Sequence, residues 1–237
     1  MCDICGGRGI VLINNDTARP CECLKALAVK NKLKNAGIPG KPVKLKDFDL
    51  RYYSETSKIP ETQKSYYQAA KDALNAARRF VNKQDDGLAL VGPAGRGKTF
   101  LARCAAHELL AKGKPLIFID VPGLLSEIKD TYQPGSSRSE LDILEAARTI
   151  DILFLDDLGA HNYTPWVENQ LYIIFNYRMN NKLPTFITTN LTTDEMAKNL
   201  GTRIVSRIIG LCEIHYIHSE VDIRLMNRRK KLRGESA

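Results

Sequence analysis

No run in this chain approaches eighteen consecutive apolar residues, so nothing in it reads as a membrane-spanning helix. The first residues, MCDICGGRG, lack the apolar stretch of a secretory signal. These two absences predict a cytoplasmic protein with no membrane partner. No internal repeat is visible, which leaves no sign of a repeat architecture. Cysteine is scarce beyond the start of the chain: Cys2, Cys5, Cys21 and Cys23 are followed only by Cys104 and Cys212, which sit in apolar patterns and are expected in the core. A cysteine cluster in a cytosolic chain points to metal or catalysis before disulfides.

The chain has 237 residues, enough to bury one substantial core with a small satellite beside it. Its formal charge of +8 is concentrated at the two ends. Residues 1–46 carry nine Lys and Arg against three acids, and residues 228–237 carry five against one, which leaves the middle slightly acidic. Basic ends on a near-neutral core suit an electrostatic partner such as nucleic acid, although the tail RRKKLR reads equally well as a solvated end.

The N-terminal pattern CxxCGGxG makes a tight knuckle in which glycines free backbone N–H groups to face sulfur. The second pair, sixteen residues beyond Cys5, completes a tetrahedral set of four thiolates for zinc, although its CxC spacing is less usual. Closing such a site supplies folding energy that so short a segment cannot draw from apolar burial. A redox role needs CxxC at a strand-to-helix junction, and the glycines after Cys5 argue against it. A basic helix is expected from about Leu24 to Ala36, ending at Gly37. The expected organisation is a zinc-binding module over 1–37, a proline-rich linker over 38–60, and a nucleotide-binding domain over 61–237 on which the linker partly packs.

Gly87-Leu88-Ala89-Leu90-Val91 is a short apolar run that reads as a buried strand, and GPAGRGKT follows it at residues 92–99. Strand, glycine-rich turn, Lys98-Thr99 and a helix-forming stretch together form the arrangement of a phosphate-binding loop. The glycines let backbone N–H groups converge on phosphate oxygens, and the helix N-terminus adds a favourable dipole. Lys98 would neutralise the β and γ phosphates and the Thr99 hydroxyl would hold magnesium.

Downstream, Ile152-Leu153-Phe154-Leu155 reads as a second buried strand that delivers Asp156 and Asp157 at its C-terminal end. Asp156 suits the magnesium shell, and Asp157 stands where a second acid polarises the attacking water, a place more often held by the longer Glu. The strand Thr185–Thr189 ends at Asn190, and the order of strands places it between loop and acids, with Asn190 near the γ phosphate and able to orient water. The competing reading is local, because Thr192-x-x-Glu195 is a capping box that merely starts a helix. Periodicity predicts helices over 61–83, 99–112, 122–132, 139–148, 165–181 and 195–210, and further strands over 116–119 and 212–217. On the helix 165–181 the stripe Trp166, Gln170, Ile173 and Tyr177 reads as a packing face. On the helix 195–210, Arg207 first and Arg203 second are candidates to cross to the γ phosphate of a neighbouring subunit.

With the phosphate loop, ILFLDD, FITTN and GTRIVSRI in hand, the chain resembles AAA+ ATPases of the bacterial helicase-loader type, the DnaC and DnaI group, and the related IstB transposition ATPases. The likeness runs from about Ile38 to Arg224 and includes AGIP, WVENQLYIIFNYR and LPTFITTN. It implies that Gly92, Pro93, Ala94, Gly95, Arg96, Gly97, Lys98 and Thr99, with Phe100 behind them, form Walker A, and that Asp156 and Asp157 form Walker B. Asn190 then corresponds to sensor 1, Arg207 to the arginine finger and Arg224 to sensor 2. The implied fold is an α/β P-loop NTPase, a three-layer sandwich on a parallel five-stranded sheet. Only about twenty residues follow the last strand, too few for a full helical lid.

The resemblance further implies ATP with Mg2+, side-by-side assembly through the ATPase domain, and loading of a DnaB-type replicative ring helicase onto single-stranded DNA. The N-terminal module would grip the helicase, and hydrolysis would be slow and stimulated by partners. Arg138, near the loop 133–139, is a basic candidate for DNA contact, although stacking aromatics are lacking there. Two other functions remain open: a transposition helper that coats duplex DNA, and a non-hydrolysing adaptor for which ATP is a folding ligand.

Overall fold

The computed structural model describes residues 10–12, 18–20, 36–132, 139–159 and 163–232. The four N-terminal cysteines, residues 24–35 of the expected basic helix, and Arg138 lie outside the described residues. Near the start, strands β1 (Ile10–Leu12) and β2 (Ala18–Pro20) pair antiparallel, with Ile10 opposite Pro20.

From residue 66 onward one or two helices separate each strand from the next. The elements are α1 (Tyr66–Lys83), β3 (Gly87–Val91), α2 (Lys98–Ala111), β4 (Leu116–Asp120), α3 (Val121–Asp130), α4 (Glu140–Thr149), β5 (Ile152–Leu158), α5 (Pro165–Asn180), β6 (Thr185–Thr189), α6 (Thr193–Leu200), α7 (Thr202–Leu211), β7 (Cys212–Tyr216) and α8 (Ile223–Leu232). The five later strands form one parallel sheet in the order β4-β5-β6-β3-β7. A parallel sheet must be covered on both faces, and the strand residues divide accordingly. Leu88, Leu90, Ile152, Phe154 and Phe186 share a core with α1, α2 and the segment around Leu45 and Phe48. Ala89, Leu153, Leu155 and Ile187 share the opposite core with α3, α5, α6 and α7. The result is the expected three-layer P-loop architecture.

Three strands are locked in register by an aromatic ladder. Phe118 of β4 stacks on Phe154 of β5 at 5.6 Å, and Phe154 stacks on Phe186 of β6 at 5.0 Å. Phe80 of α1 meets Phe154 and Phe186 edge-on. Such pairs contribute about 0.5–1.5 kcal/mol each beyond their burial, so the strand ends that carry the site stand on a stiff base.

Several boundaries differ from the sequence expectation for local reasons. Helix α1 begins at Tyr66 rather than 61, because the Ser65 side chain accepts from the Gln68 N–H and caps it there. The single helix expected over 195–210 is two, broken at Gly201 with φ +83°. On α5 the buried face is Val167, Leu171, Ile174, Phe175 and Arg178, whereas Trp166 and Ile173 of the expected packing stripe are exposed. Arg178 is fully buried yet donates to the Thr185 hydroxyl at 2.8 Å and to the carbonyls of Ile150 and Pro184 at 2.8 and 2.7 Å. It pins the end of α5 to the starts of β5 and β6. Cys104 and Cys212 are buried, as their apolar settings imply.

The stretch 38–60 is packed more fully than its linker composition suggests. Two single-turn 3-10 helices, Leu45–Asp47 and Leu50–Tyr52, set Leu45, Phe48, Tyr53 and Ile59 into buried positions.

Candidate functional site

The C-terminal edges of β3, β5 and β6 open into a cavity of about 870 Å³, within the ~300–1,000 Å³ range of small-molecule sites. Ala94, Gly95, Arg96, Gly97, Lys98, Thr99 and Phe100 line it, together with Asp156, Asp157, Asn190 and Arg224. The sequence candidates on the loop, the acid strand and β6 therefore meet at one place, because β6 lies between β3 and β5.

Gly97 occupies the N-cap position of α2 with φ +94°, and a Cβ there would lie 2.6 Å from the Tyr53 hydroxyl. Only glycine lets the loop turn into the helix under that ring. Lys98 is 5% exposed and its ammonium donates to Gly92 O at 2.6 Å, Pro93 O at 2.8 Å and Asn190 Oδ1 at 2.7 Å. Burial pulls its pKa down to about 8, opposed by the Asp157 and Asp156 carboxylates. Asn190 also donates from Nδ2 to Asp157 Oδ1 at 2.7 Å, so its amide bridges cation and acid. The capping box does form: the Thr192 side chain accepts from the Glu195 N–H, and Thr192, not Asn190, caps α6. The capping box therefore leaves the Asn190 side chain free to face the cavity.

Consecutive residues of a regular strand face opposite ways, yet Asp156 and Asp157 both line the cavity. The register explains this. Leu155 is opposite Ile187 and Leu158 opposite Thr189, so β5 carries one extra residue, a bulge. Asp157 takes it up with φ +57°, a left-handed conformation that Asp tolerates better than most residues. The Thr188 hydroxyl accepts from the Asp157 N–H at 3.0 Å and donates to Asp156 Oδ1, fixing the bulge. Thr99 Oγ1 donates to the same Asp156 oxygen at 2.9 Å. Burial raises the Asp156 pKa, with Asp157 and Asp120 adding to the rise and the two threonine hydroxyls opposing it. A hydroxyl beside one buried and one half-buried carboxylate is a donor set that fits a hard dication such as Mg2+, which keeps waters and phosphate oxygens as its other ligands. Among the described residues no group of three or more His, Cys, Asp and Glu is arranged to hold a metal by itself.

Arg203 and Arg207 do not line this cavity. They project from α7 over Tyr172 of α5, with guanidinium carbons 4.8 and 5.5 Å from the ring centre. Arg207 Nε donates to Asn176 Oδ1 at 2.9 Å. The two arginines pull the Tyr172 pKa down, Arg207 the more strongly.

Sequence reasoning missed the outer wall. Phe48, Tyr52 and Tyr53 from the 3-10 segment, Arg103 of α2 and Asn227 of α8 all line the cavity. Their only signal is three aromatic residues within FDLRYY in an aperiodic stretch.

The DnaC helicase loader of Escherichia coli K12 is 33% identical over 140 residues, 58% of this chain and 57% of that protein. DnaI of Bacillus subtilis, also a replicative helicase loader, is 34% identical over 111 residues, 46% of this chain and 35% of that protein. The chain thus spans little more than half of the first and about a third of the second. A crystal structure of the DnaC helicase loader superposes with a TM-score of 0.57 at 27% identity, over 73% of this chain and 98% of that one. The sequence profile of the IstB-like ATP binding proteins matches residues 28–232. Because that match takes in the phosphate loop, the bulged acid strand and the polar end of β6, the chain belongs to the IstB-like ATP binding proteins, with the AAA+ P-loop NTPase fold.

Proposed function

We propose that this protein is an ATP-driven loader of a ring-shaped replicative helicase onto single-stranded DNA. The observation that carries the ATPase part is the Lys98–Asn190–Asp157 bridge, which sets a phosphate cation, a polar amide and an acid within hydrogen-bond reach of one another. The likeness to DnaC and DnaI supports the loading part.

In this reading the loop N–H groups and Lys98 bind the triphosphate, Thr99 and Asp156 hold Mg2+, and Asn190 and Asp157 orient and polarise the attacking water. When bound, Mg2+ offsets charge that develops on the phosphate oxygens. Arg224 reaches the phosphates from α8. Arg207, with Arg203 beside it, projects away from its own cavity and serves the cavity of a neighbouring protomer, so turnover depends on assembly and is slow without partners. Asp157 in place of the longer Glu fits slow turnover.

The four N-terminal cysteines are proposed to bind zinc. Supporting this, the chain enters and leaves the β1–β2 hairpin at one end, with Ile10 opposite Pro20. That module is assigned the helicase grip, and the protein is read as cytoplasmic. Among the described residues no helix is long and apolar enough to cross a membrane.

Lys98→Ala is expected to weaken ATP binding about a hundredfold or more, the size of effect seen when one partner of a buried charge pair is removed. Unchanged affinity by calorimetry contradicts the site. Co-purification with the host's ring helicase, with and without residues 1–37, tests the loading role, and retention by the truncated chain contradicts the assigned grip. Preference for duplex over single-stranded DNA at matched salt would favour a transposition helper instead.

A further inference from the structure

Segments far apart in sequence meet at and beside the mouth of the cavity. The Tyr52 hydroxyl donates to Asn227 Oδ1 at 2.6 Å, and the Ser57 hydroxyl donates to Glu220 Oε1 at 2.6 Å. Tyr52 and Asn227 both line the cavity while keeping contact with solvent, so their bond crosses its rim.

Beneath that bond the phosphate loop is gripped from both sides. The Tyr53 hydroxyl donates to the Arg96 carbonyl at 3.0 Å, and the Ile223 N–H, at the first residue of α8, donates to the Gly95 carbonyl at 2.9 Å. The Asp222 carboxylate fills the space where residue 95 would carry a Cβ, with Oδ2 2.1 Å from that position, so only glycine admits this contact. A trans peptide directs its C=O and the next N–H to opposite sides. Tying the Gly95 and Arg96 carbonyls outward therefore turns the Arg96 and Gly97 N–H groups inward, where a phosphate cradle needs its donors. The same contact satisfies one of the otherwise unpaired N–H groups at the start of α8.

We propose that residues 52–57 and 220–227 form a clasp over the nucleotide, in which Tyr53 and the start of α8 preset the loop donors. The Tyr52–Asn227 bond sets how long the nucleotide stays. Tyr52, Tyr53 and Asn227 are positioning residues: they act through the loop and the rim, not on the reacting atoms. Release of nucleotide requires the rim bond to part, whereas capture from solution proceeds while it is open. The inference rests on the cavity being the ATP site.

The test follows release of a fluorescent ADP analogue by stopped flow from the full chain, comparing wild type with Tyr52→Phe, Asn227→Ala and the double variant. Release is expected to quicken about three- to tenfold in each single variant, the size of one hydrogen bond, with melting temperature unchanged. The double variant is expected to release no faster than the faster single, because both lose the same bond. Tyr53→Phe is expected to weaken equilibrium affinity by a similar factor. Release at the wild-type rate in both single variants, or multiplied effects in the double, overturns the clasp while leaving the nucleotide site standing. Failure of wild type to bind the analogue at all overturns the nucleotide reading, and the clasp with it.

Discussion

The cavity and the arginine face of α7 hold their charges in opposite ways. In the cavity the lysine and the acid pair are met within the fold: Lys98 has three acceptors, Asp156 has two hydroxyl donors, and Asp157 is tied to Asn190. On α7, Arg203 is exposed and Arg207 half-buried, and they lean on Tyr172 and Asn176 with no carboxylate in ion-pair range among the described residues. A preset cavity whose lysine and acids are already held in place can take a nucleotide alone. A rigidly supported cation with no anion of its own is suited to meet one brought from outside. On the proposed reading, the difference makes binding a property of one chain and turnover a property of two.

The sharpest way to break this comparison is Arg207→Ala. Steady-state phosphate release, with DNA and helicase present, is expected to fall about a thousandfold, the lower end of arginine-finger effects. ATP affinity is expected to stay within about twofold, since Arg207 contacts no cavity residue. Equal losses of affinity and turnover would erase the distinction between the two regions.

A smaller effect comes from pH. With its pKa held down to about 8 by burial, Lys98 loses its proton as pH rises through that value. ATP affinity is therefore expected to fall by about tenfold between pH 7 and pH 9, toward the limit of one proton per unit, and calorimetry reads it directly. The sign for stability is reversed. Below 8 the folded state carries a buried charge, and because the unfolded lysine keeps its proton up to its ordinary 10.5, that cost fades as pH rises between the two values.

Smallest is the effect on support for the arginine. Asn176→Ala removes the acceptor of Arg207 Nε and is expected to slow turnover about three- to tenfold, as one hydrogen bond would. ATP affinity should not change, and a shift in affinity would mean that α5 also supports the cavity.

Much of the nucleotide side was legible because its chemistry is carried by contiguous residues: GPAGRGKT after a buried run, ILFLDD and FITTN each name both a strand and the group at its end. What was not legible depends on three-dimensional approach. The bulge that turns Asp157 toward Asp156 shows only in the pairing of β5 with β6. The residues 45–53 have no period to read, because they follow the surface of α1 and α2 instead of forming a regular element. On α5 the helical period fits two stripes equally, and the buried one contains Arg178, whose charge disguises it until its carbonyl partners are seen. The break at Gly201 was hidden because the apolar spacing resumes beyond it in the same chain stretch.

The most direct measurement mixes two inactive proteins. Lys98→Ala should retain its arginine face but bind ATP too weakly to turn it over, and Arg207→Ala should bind ATP but offer no arginine. Equal amounts, incubated together with single-stranded DNA and the helicase, are expected to release phosphate at a substantial fraction of the wild-type rate, because each supplies what the other lacks. A mixture no more active than the two proteins measured apart would contradict a catalytic centre shared between neighbours.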